Sequence, residues 1–295
     1  MILDEFRQKL AANYRQEEIM QFVYLLFKEW MGWTKADVHM ETLKLLKVEE
    51  ATRFWDALGQ LQKNIPIQYI IGITHFLDTK IKVREGVLIP RPETEELVTM
   101  ILIDYRHRQY EDLSLLDIGT GSGCISVAIK KQMPGIDVTA LDISPVALQL
   151  AKENSVLNHC RIKFIRKNIL DRQGWKDFPG YTVVVSNPPY IPESERSSMH
   201  PNVVEYEPHK ALFVTDEDPL QFYTAIAEFA LLHLVRPGSL YLEINERFGK
   251  QIREFLLSIG FNKAEILKDI HGKDRFIRAE AKTTMLDTSY WNVEH

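Results

Sequence analysis

Residues 113–123 read Leu113-Ser114-Leu115-Leu116-Asp117-Ile118-Gly119-Thr120-Gly121-Ser122-Gly123. The apolar run at the start of this stretch is typical of a buried strand, and the three glycines allow a sharp turn directly after it. A helix is predicted to begin near Ser122. A strand, a glycine-rich turn and a helix in this order are typical of a doubly wound α/β sheet.

The chain on the carboxyl side of this stretch continues the alternation of strands and helices. Strands are predicted over residues 137–142, 162–165, 181–186 and 240–244, and helices from Pro145 and over residues 220–234 and 250–258. This alternation predicts a mostly parallel sheet. The last two strands, 264–267 and 276–279, are separated by a short glycine-containing turn and are therefore expected to be antiparallel.

The chain on the amino side differs in pattern and indicates a separate unit. Apolar residues recur at helical spacing through the first sixty residues, which predicts a helical domain over residues 1–66. Residues 67–92 show β-rich segments around turns, at 69–72, 80–83 and 87–89, and are interpreted as a β-hairpin linker. The α/β domain then covers residues 93–281, and residues 282–295 form a tail without clear periodicity.

Composition excludes several classes of protein. Hydrophobic residues make up 45% and charged residues 26% of the 295 positions, which are ordinary values for a folded globular chain. A net charge of −5 argues against a chain that mainly grips nucleic acid along its backbone. The sequence shows no signal peptide or membrane span, and its two cysteines lack metal-binding spacing. We therefore expect a cytoplasmic protein without a metal site and without membrane association.

The glycine-rich turn and a distant carboxylate together predict a cofactor pocket. The turn has the spacing G-x-G-x-G, which differs from the G-x-G-x-x-G of dinucleotide enzymes and from phosphate-binding loops. Asp142 ends the second strand, where a carboxylate can accept hydrogen bonds from both hydroxyls of a ribose. These features predict a pocket for an adenosine-type cofactor without a pyrophosphate group, and they disfavour a nicotinamide dehydrogenase.

A second motif, Asn187-Pro188-Pro189-Tyr190, directly follows the strand at 181–186. The two prolines stiffen the chain and hold Asn187 in an extended conformation. The Asn187 side-chain oxygen and a neighbouring backbone carbonyl could then hold the two hydrogens of an –NH₂ group. Tyr190 could provide a flat wall for a planar amide or base.

Gly119–Gly123, Asp142 and Asn187–Tyr190, in this order, resemble the class I S-adenosylmethionine-dependent amino-methyltransferases. The segment Leu88-Ile89-Pro90-Arg91-Pro92-Glu93-Thr94-Glu95-Glu96-Leu97-Val98 is more specifically similar to the HemK/PrmC family. Further similar segments are Pro66–Gly72, Glu205–Pro208 and Gly272–Arg275, so that the resemblance covers about residues 60–280. Enzymes of this family methylate the glutamine side-chain nitrogen of the GGQ motif in bacterial class I peptide chain release factors.

The resemblance implies a role for each matching position. It implies a Rossmann-like fold in which Gly119 to Gly123 and Asp142 hold the methionine and ribose parts of S-adenosyl-L-methionine. It places the substrate amide on Asn187 and Pro188, beside Pro189 and Tyr190, with Asn187 also near the cofactor. Asn168-Ile169 stands where the family often has an acidic residue followed by an aromatic one, so the adenine contacts depart from the family pattern.

Other functions remain open on sequence grounds. A glutamine methyltransferase of a ribosomal protein and an adenine-N6 nucleic-acid methyltransferase would use the same asparagine chemistry. Against the second stand the acidic balance and the lack of an extra basic domain for flipping bases. A degenerate, non-enzymatic adaptor is disfavoured by the intact glycines, Asp142 and Asn187. We therefore expect a monomeric release-factor methyltransferase whose helical domain docks the partner.

Overall fold

The computed structural model describes residues 2–40, 46–108 and 113–281, with the side chains of Met40 and Arg236 excepted. The predicted tail at 282–295 lies outside the described residues. No helix in these ranges is both long and apolar enough to cross a membrane.

The amino-terminal region is helical, as the spacing of its apolar residues predicts. Gly32 adopts a left-handed conformation at the end of the longest helix, where its N–H caps the Lys28 carbonyl. The helices share an apolar core of their own, which contains Phe6, Phe54 and Leu61. Their bounds are α1 Ile2–Leu10, α2 Gln16–Met31, α3 Lys35–Met40, α4 Val48–Leu61 and α5 Ile67–Ile71.

The β-rich interpretation of residues 69–72 is wrong, because these residues belong to the short helix α5 and its cap. Gly72 ends the helix with a φ of 82°, and its N–H donates to the Gln68 carbonyl. Ile67 is buried in the core of the amino-terminal helices, and Ile70 and Ile71 pack against that core. The run of isoleucines therefore reflects burial in a helix rather than a strand.

The hairpin itself is shorter than predicted. It consists of β1 Ile73–Phe76 and β2 Thr79–Lys82, which pair in antiparallel register. Residues 87–89, predicted as β-rich, form no strand: the Val87 N–H donates to the Arg84 carbonyl in a turn, and two further backbone groups bond to side chains. The Val87 carbonyl accepts from the Tyr69 hydroxyl, and the Ile89 N–H donates to a Glu207 carboxylate oxygen.

The second half of the described chain forms a seven-stranded sheet. Its strands are β3 Ser114–Ile118, β4 Asp137–Asp142, β5 Lys163–Arg166, β6 Tyr181–Ser186, β9 Leu234–Glu243, β10 Phe261–Lys268 and β11 Asp274–Ala281. Their order across the sheet is β10-β11-β9-β6-β3-β4-β5. Neighbouring strands from β9 through β5 are parallel, whereas β11 is antiparallel to both β9 and β10. The predicted fold class is thus confirmed, with the antiparallel strand next to the sheet edge.

Helices cover both faces of this sheet, so its central strands are apolar on both sides. Alternate residues along a strand face opposite cores: Leu115 lies in the core with helices α6 and α7, and Leu116 in the core with α11 and α12. Prolines at the first turns of α6 and α8 suit the start of a helix. The helix bounds are α6 Pro92–Tyr105, α7 Cys124–Gln132, α8 Pro145–Leu157, α11 Gln221–His233 and α12 Gly249–Ile259.

The segment between β6 and α11 carries the chain from the end of the sheet towards the amino-terminal helices. It contains β7 Ile191–Pro192, α9 Pro201–Tyr206, α10 His209–Leu212 and β8 Phe213–Val214, with β7 and β8 paired in parallel. The Tyr206 hydroxyl donates to the Lys63 carbonyl at 2.6 Å. This contact joins α9 to the chain just after α4.

Candidate active site

The glycine-rich turn after β3 is fixed against the end of β4. The N–H groups of Gly119 and Thr120 both donate to the Leu141 carbonyl, at 2.8 and 2.9 Å. Gly119, Gly121 and Gly123 all have positive φ values between 55° and 81°, which only glycine adopts readily. The turn therefore depends on its three glycines for its conformation, and α7 begins two residues later than predicted, at Cys124.

Asp142, at the end of β4, is held by backbone groups on both of its oxygens. Its Oδ2 accepts from the Gly121 N–H at 2.9 Å, and its Oδ1 accepts from the Ser144 N–H at 2.8 Å. Burial raises the pKa of this carboxyl, whereas these backbone hydrogen bonds act in the opposite direction. Each oxygen keeps lone-pair capacity for a ligand hydroxyl.

Most of the predicted cofactor residues line one cavity of about 620 Å³ at the carboxyl ends of β3, β4 and β6. This is the edge of an open α/β sheet where ligands generally bind. The predicted residues in its wall are Gly119, Thr120, Gly121, Ser122, Asp142, Asn168, Ile169, Asn187, Pro188 and Pro189. Gly123 is outside this wall, because it packs against α8, where an added Cβ would lie 3.0 Å from the Ala151 Cβ.

A second cavity of about 230 Å³ adjoins the first, and Tyr190 lines only this smaller one. Met199 and Val203, from the segment after β7, form another part of its wall. Asn187 and Pro188 belong to the walls of both cavities. A group bound in one cavity can therefore meet a group bound in the other at these two residues.

The orientation of the Asn187 amide is defined by its hydrogen bond to α6. Its Nδ2 donates to the Thr94 hydroxyl at 3.0 Å. In the described part of the chain no donor reaches its Oδ1, which thus remains available as an acceptor at the junction of the two cavities. This arrangement agrees with the chemistry predicted for Asn187, although its role in binding stays a proposal.

Sequence reasoning missed two buried residues behind Asn187. The Thr94 hydroxyl donates to Glu243 Oε2 at 2.7 Å, and the Tyr190 hydroxyl donates to Glu243 Oε1 at 3.1 Å. Thr94 and Glu243 are 2% and 1% exposed. The one available sequence signal was a carboxylate, Glu243, within the apolar strand predicted at 240–244.

The chain matches two family models and several curated relatives. Residues 2–72 match the PrmC N-terminal domain, and residues 97–206 match the methyltransferase small domain. A release factor glutamine methyltransferase of Flavobacterium psychrophilum is 41% identical over 275 residues, which cover 93% of this chain and 96% of that protein. One of Bacteroides thetaiotaomicron is 39% identical, over 92% of this chain and 96% of that protein.

The chain belongs to the release factor glutamine methyltransferase family. This confirms the resemblance found in the sequence, and the chain is an enzyme with a methyltransferase domain. The match to the PrmC N-terminal domain ends at residue 72, which is the cap of α5.

Solved structures support the methyltransferase fold at low sequence identity. The catalytic domain of hMettl16 in complex with MAT2A 3'UTR hairpin 1 has a TM-score of 0.51 and 16% identity, over 80% of this chain and 81% of that chain. The T. thermophilus 16S rRNA N2 G1207 methyltransferase, in complex with AdoMet and guanosine, has a TM-score of 0.50 and 14% identity. That match covers 71% of this chain and 50% of that chain.

Asn168 lines the larger cavity, and its side-chain oxygen already has one partner. The Asn168 Oδ1 accepts the Leu170 N–H at 3.1 Å, so one of its lone pairs is already used. Ile143 and Phe222 also line this cavity, and neither was predicted. Phe222, from α11, provides an aromatic ring in a wall where the sequence after β5 offers none.

Proposed function

We propose that this chain transfers a methyl group from S-adenosyl-L-methionine to the side-chain amide nitrogen (N5) of the glutamine in the GGQ motif of bacterial class I release factors. The observation that carries the proposal is the junction of two cavities at Asn187 and Pro188. It occurs in a chain 41% identical to a release factor glutamine methyltransferase.

The larger cavity fits S-adenosyl-L-methionine, which supplies an electrophilic methyl group when bound. Asp142 would accept from the ribose hydroxyls with the lone pairs that Gly121 and Ser144 leave free. The glycine-rich turn, without Cβ atoms, would lie against the methionine part. Asn168 and Ile169 would border the adenine, as the sequence predicts.

Asn187 and Pro188 would hold the substrate amide. The Asn187 Oδ1 and the Pro188 carbonyl can each accept one N–H of the glutamine, and Tyr190 can form the wall beside it. An amide nitrogen is a poor nucleophile because its lone pair is delocalised into the carbonyl. Two fixed acceptors would stabilise the positive charge that develops on nitrogen and direct its lone pair towards the methyl group.

The same arrangement accounts for the proton that leaves the substrate. Once methylated, the amide nitrogen is strongly acidic, so one of its N–H protons can pass to solvent late in the reaction. A strong general base next to Asn187 is therefore unnecessary. The acceptors at Asn187 and Pro188 orient the amide rather than deprotonate it.

The helical region would dock the release factor beside the smaller cavity. Helix α9 connects the two, because its Val203 lines this cavity while its Tyr206 bonds to the Lys63 carbonyl. We expect the enzyme to act as a monomer in the cytoplasm, on a protein substrate, without direct contact to nucleic acid and away from membranes.

Replacing Asn187 by Ala tests the proposal. We expect wild type to add one methyl group to the GGQ glutamine of a purified release factor. Loss of one transition-state acceptor should slow turnover roughly a hundredfold in Asn187→Ala, with the Kd for S-adenosyl-L-methionine nearly unchanged. Peptide mapping by mass spectrometry and calorimetric titration provide the two measurements.

Asn158→Ala is the matched control. The Asn158 side chain bonds to the Lys80 backbone, away from both cavities, and this variant should keep the wild-type rate. Methyl transfer by wild type to DNA or to a ribosomal protein, with none to the release factor, would refute the proposed substrate. A parallel collapse of cofactor binding in Asn187→Ala would refute the role given to Asn187.

A further inference from the structure

Behind Asn187, a chain of hydrogen bonds leads from the cavities to a fully buried carboxylate. Asn187 Nδ2 donates to Thr94, and Thr94 donates to Glu243. The three residues come from the end of β6, the first turn of α6 and the end of β9. Ser186 is paired with Leu242 in the parallel pair β6–β9. Asn187 and Glu243, which follow these two residues, therefore lie side by side at the carboxyl ends of the strands.

The direction of donation along these hydrogen bonds follows from the number of hydrogens available. A threonine hydroxyl has one hydrogen, and Thr94 gives it to an ionised Glu243, which can only accept. Thr94 therefore offers only lone pairs to Asn187, so only the NH₂ end of the Asn187 amide can bond to it. The Oδ1 end must then point the other way, as the substrate requires.

We propose that Glu243, acting through Thr94, is a positioning residue that keeps the Asn187 side-chain oxygen, rather than its NH₂ group, directed at the substrate amide. This inference rests on the proposed function of Asn187. Thr94 is part of the wall of the larger cavity and Glu243 is not, and both act through the Asn187 amide rather than on the methyl group. Their effect is to exclude the flipped amide, in which an NH₂ group would face the NH₂ group of the glutamine.

The surroundings of Glu243 make its ionisation sensitive to pH. Burial raises the pKa of Glu243 to about 7, and the charge of Glu93 acts in the same direction. Arg275, from β11, lowers the pKa of Glu243, and the hydroxyl of Tyr190 donates to the carboxylate and also lowers it. Tyr223, from α11, donates to the Glu243 backbone carbonyl.

Protonation of Glu243 would reverse the chain of hydrogen bonds. A neutral carboxyl can donate to Thr94, and the Thr94 hydroxyl can then donate to the Asn187 oxygen, which turns the NH₂ group towards the substrate. The active orientation therefore requires the ionised form. Turnover should fall as the pH drops through the pKa of Glu243 and recover above it.

Three variants test the proposal with a release factor and S-adenosyl-L-methionine. Thr94→Val removes the hydroxyl at nearly constant volume and should lower kcat roughly tenfold to a hundredfold, with the cofactor Kd unchanged. Thr94→Ser restores the hydroxyl and should recover most of this rate. Glu243→Gln should lower kcat and abolish its decrease between pH 8 and pH 6, because the group can no longer ionise.

Thr182→Val is the matched control for loss of a buried threonine hydroxyl. Its hydroxyl accepts from the Ser114 N–H at the opposite end of β6, so the variant should keep the wild-type kcat and pH profile. Wild-type rates in Thr94→Val, or an unchanged acid limb in Glu243→Gln, would overturn the positioning role even if Asn187→Ala is inactive. Absence of release-factor methylation by wild type would instead overturn the proposed function itself.

Should Thr94→Val fail to fold, the comparison of Thr94→Ser and Glu243→Gln over the same pH range decides the question. A Thr94→Ser profile like that of wild type, together with a flat Glu243→Gln profile, supports the relay. Identical pH profiles of kcat in wild type, Thr94→Ser and Glu243→Gln contradict it.

Discussion

Asp117, in β3, is a fully buried carboxylate that stabilises the glycine-rich turn through a hydrogen bond to Thr120. Its Oδ2 accepts the hydroxyls of Thr120 and Ser126, both at 2.6 Å, while its Oδ1 has no partner in the described structure. Burial raises the pKa of Asp117 to about 6. The two hydroxyls oppose this shift without cancelling it.

The raised pKa of Asp117 predicts how stability depends on pH. A carboxyl whose folded-state pKa exceeds its unfolded value contributes stability below the unfolded value, and this contribution is lost as the pH rises through 6. Between pH 4 and pH 7.5, the unfolding free energy of wild type should decrease relative to Asp117→Asn by roughly 2 kcal/mol. Urea unfolding at several pH values measures this difference; parallel curves for the two proteins would contradict it.

Single residues could be predicted where their chemistry is local in sequence. Asp142 follows its own strand and Asn187 its own proline pair, and both line the cavity that the sequence predicts. Thr94 and Glu243 could not be found this way, because they are 149 positions apart and meet only through the sheet register. Phe222 was missed for the same reason, since it belongs to a helix that is distant in sequence.

At the scale of elements, the sheet was predictable because its strands are apolar on both faces and end in turn residues. Residues 69–72 and 87–89 were not, because burial there is achieved without backbone pairing to another strand. The isoleucines of α5 pack against the helical core, and the backbone of residues 87–89 bonds to Tyr69 and Glu207. Apolar composition alone cannot distinguish these cases from strands.

The contact between the glycine-rich turn and α8 yields a prediction at this scale. Gly123→Ala would introduce a left-handed alanine whose Cβ lies 3.0 Å from the Ala151 Cβ and 3.2 Å from its Cα. We expect a loss of about 3 kcal/mol in the unfolding free energy, from backbone strain and the close contact together. Weaker binding of S-adenosyl-L-methionine should accompany it, because the turn would be displaced.

Gly72→Ala separates the two causes. Gly72 has nearly the same φ, 82° against 81°, but nothing lies within 4 Å of its would-be Cβ. Gly72→Ala should lose only the backbone component of about 1 kcal/mol in the unfolding free energy and keep wild-type cofactor affinity. Equal losses in the two variants, measured by urea unfolding, would show that the contact between the turn and α8 contributes nothing.

At the scale of the whole molecule, one buried carboxylate joins two regions beside the smaller cavity. Glu207 follows α9 and is 4% exposed. Its Oε1 bonds to Arg91 at 2.6 Å, and its Oε2 accepts the Ile89 N–H at 3.1 Å. The neighbouring Tyr206 reaches the helical region through the Lys63 carbonyl. Glu207 thus ties the segment after β7 to the chain that leads into α6.

Glu207→Ala should therefore affect both stability and the use of the protein substrate. The change leaves the buried Ile89 N–H without its acceptor and removes the ion pair of Arg91, which is 31% exposed; together this should cost about 2 kcal/mol of unfolding free energy. Arg91 lines both cavities, so we also expect a higher KM for the release factor.

Glu153→Ala offers a matched comparison for the loss of Glu207. The Glu153 carboxylate pairs with Arg84 at 2.7 Å, but both side chains are at least 30% exposed. Exposed pairs of this kind contribute at most about 1 kcal/mol, because water solvates the partner that remains. Urea unfolding and steady-state methylation of the two variants separate the cases. If both lost equally little stability and kept the same KM, the buried pair would not be what holds the smaller cavity together, and Tyr206 would become the residue to test.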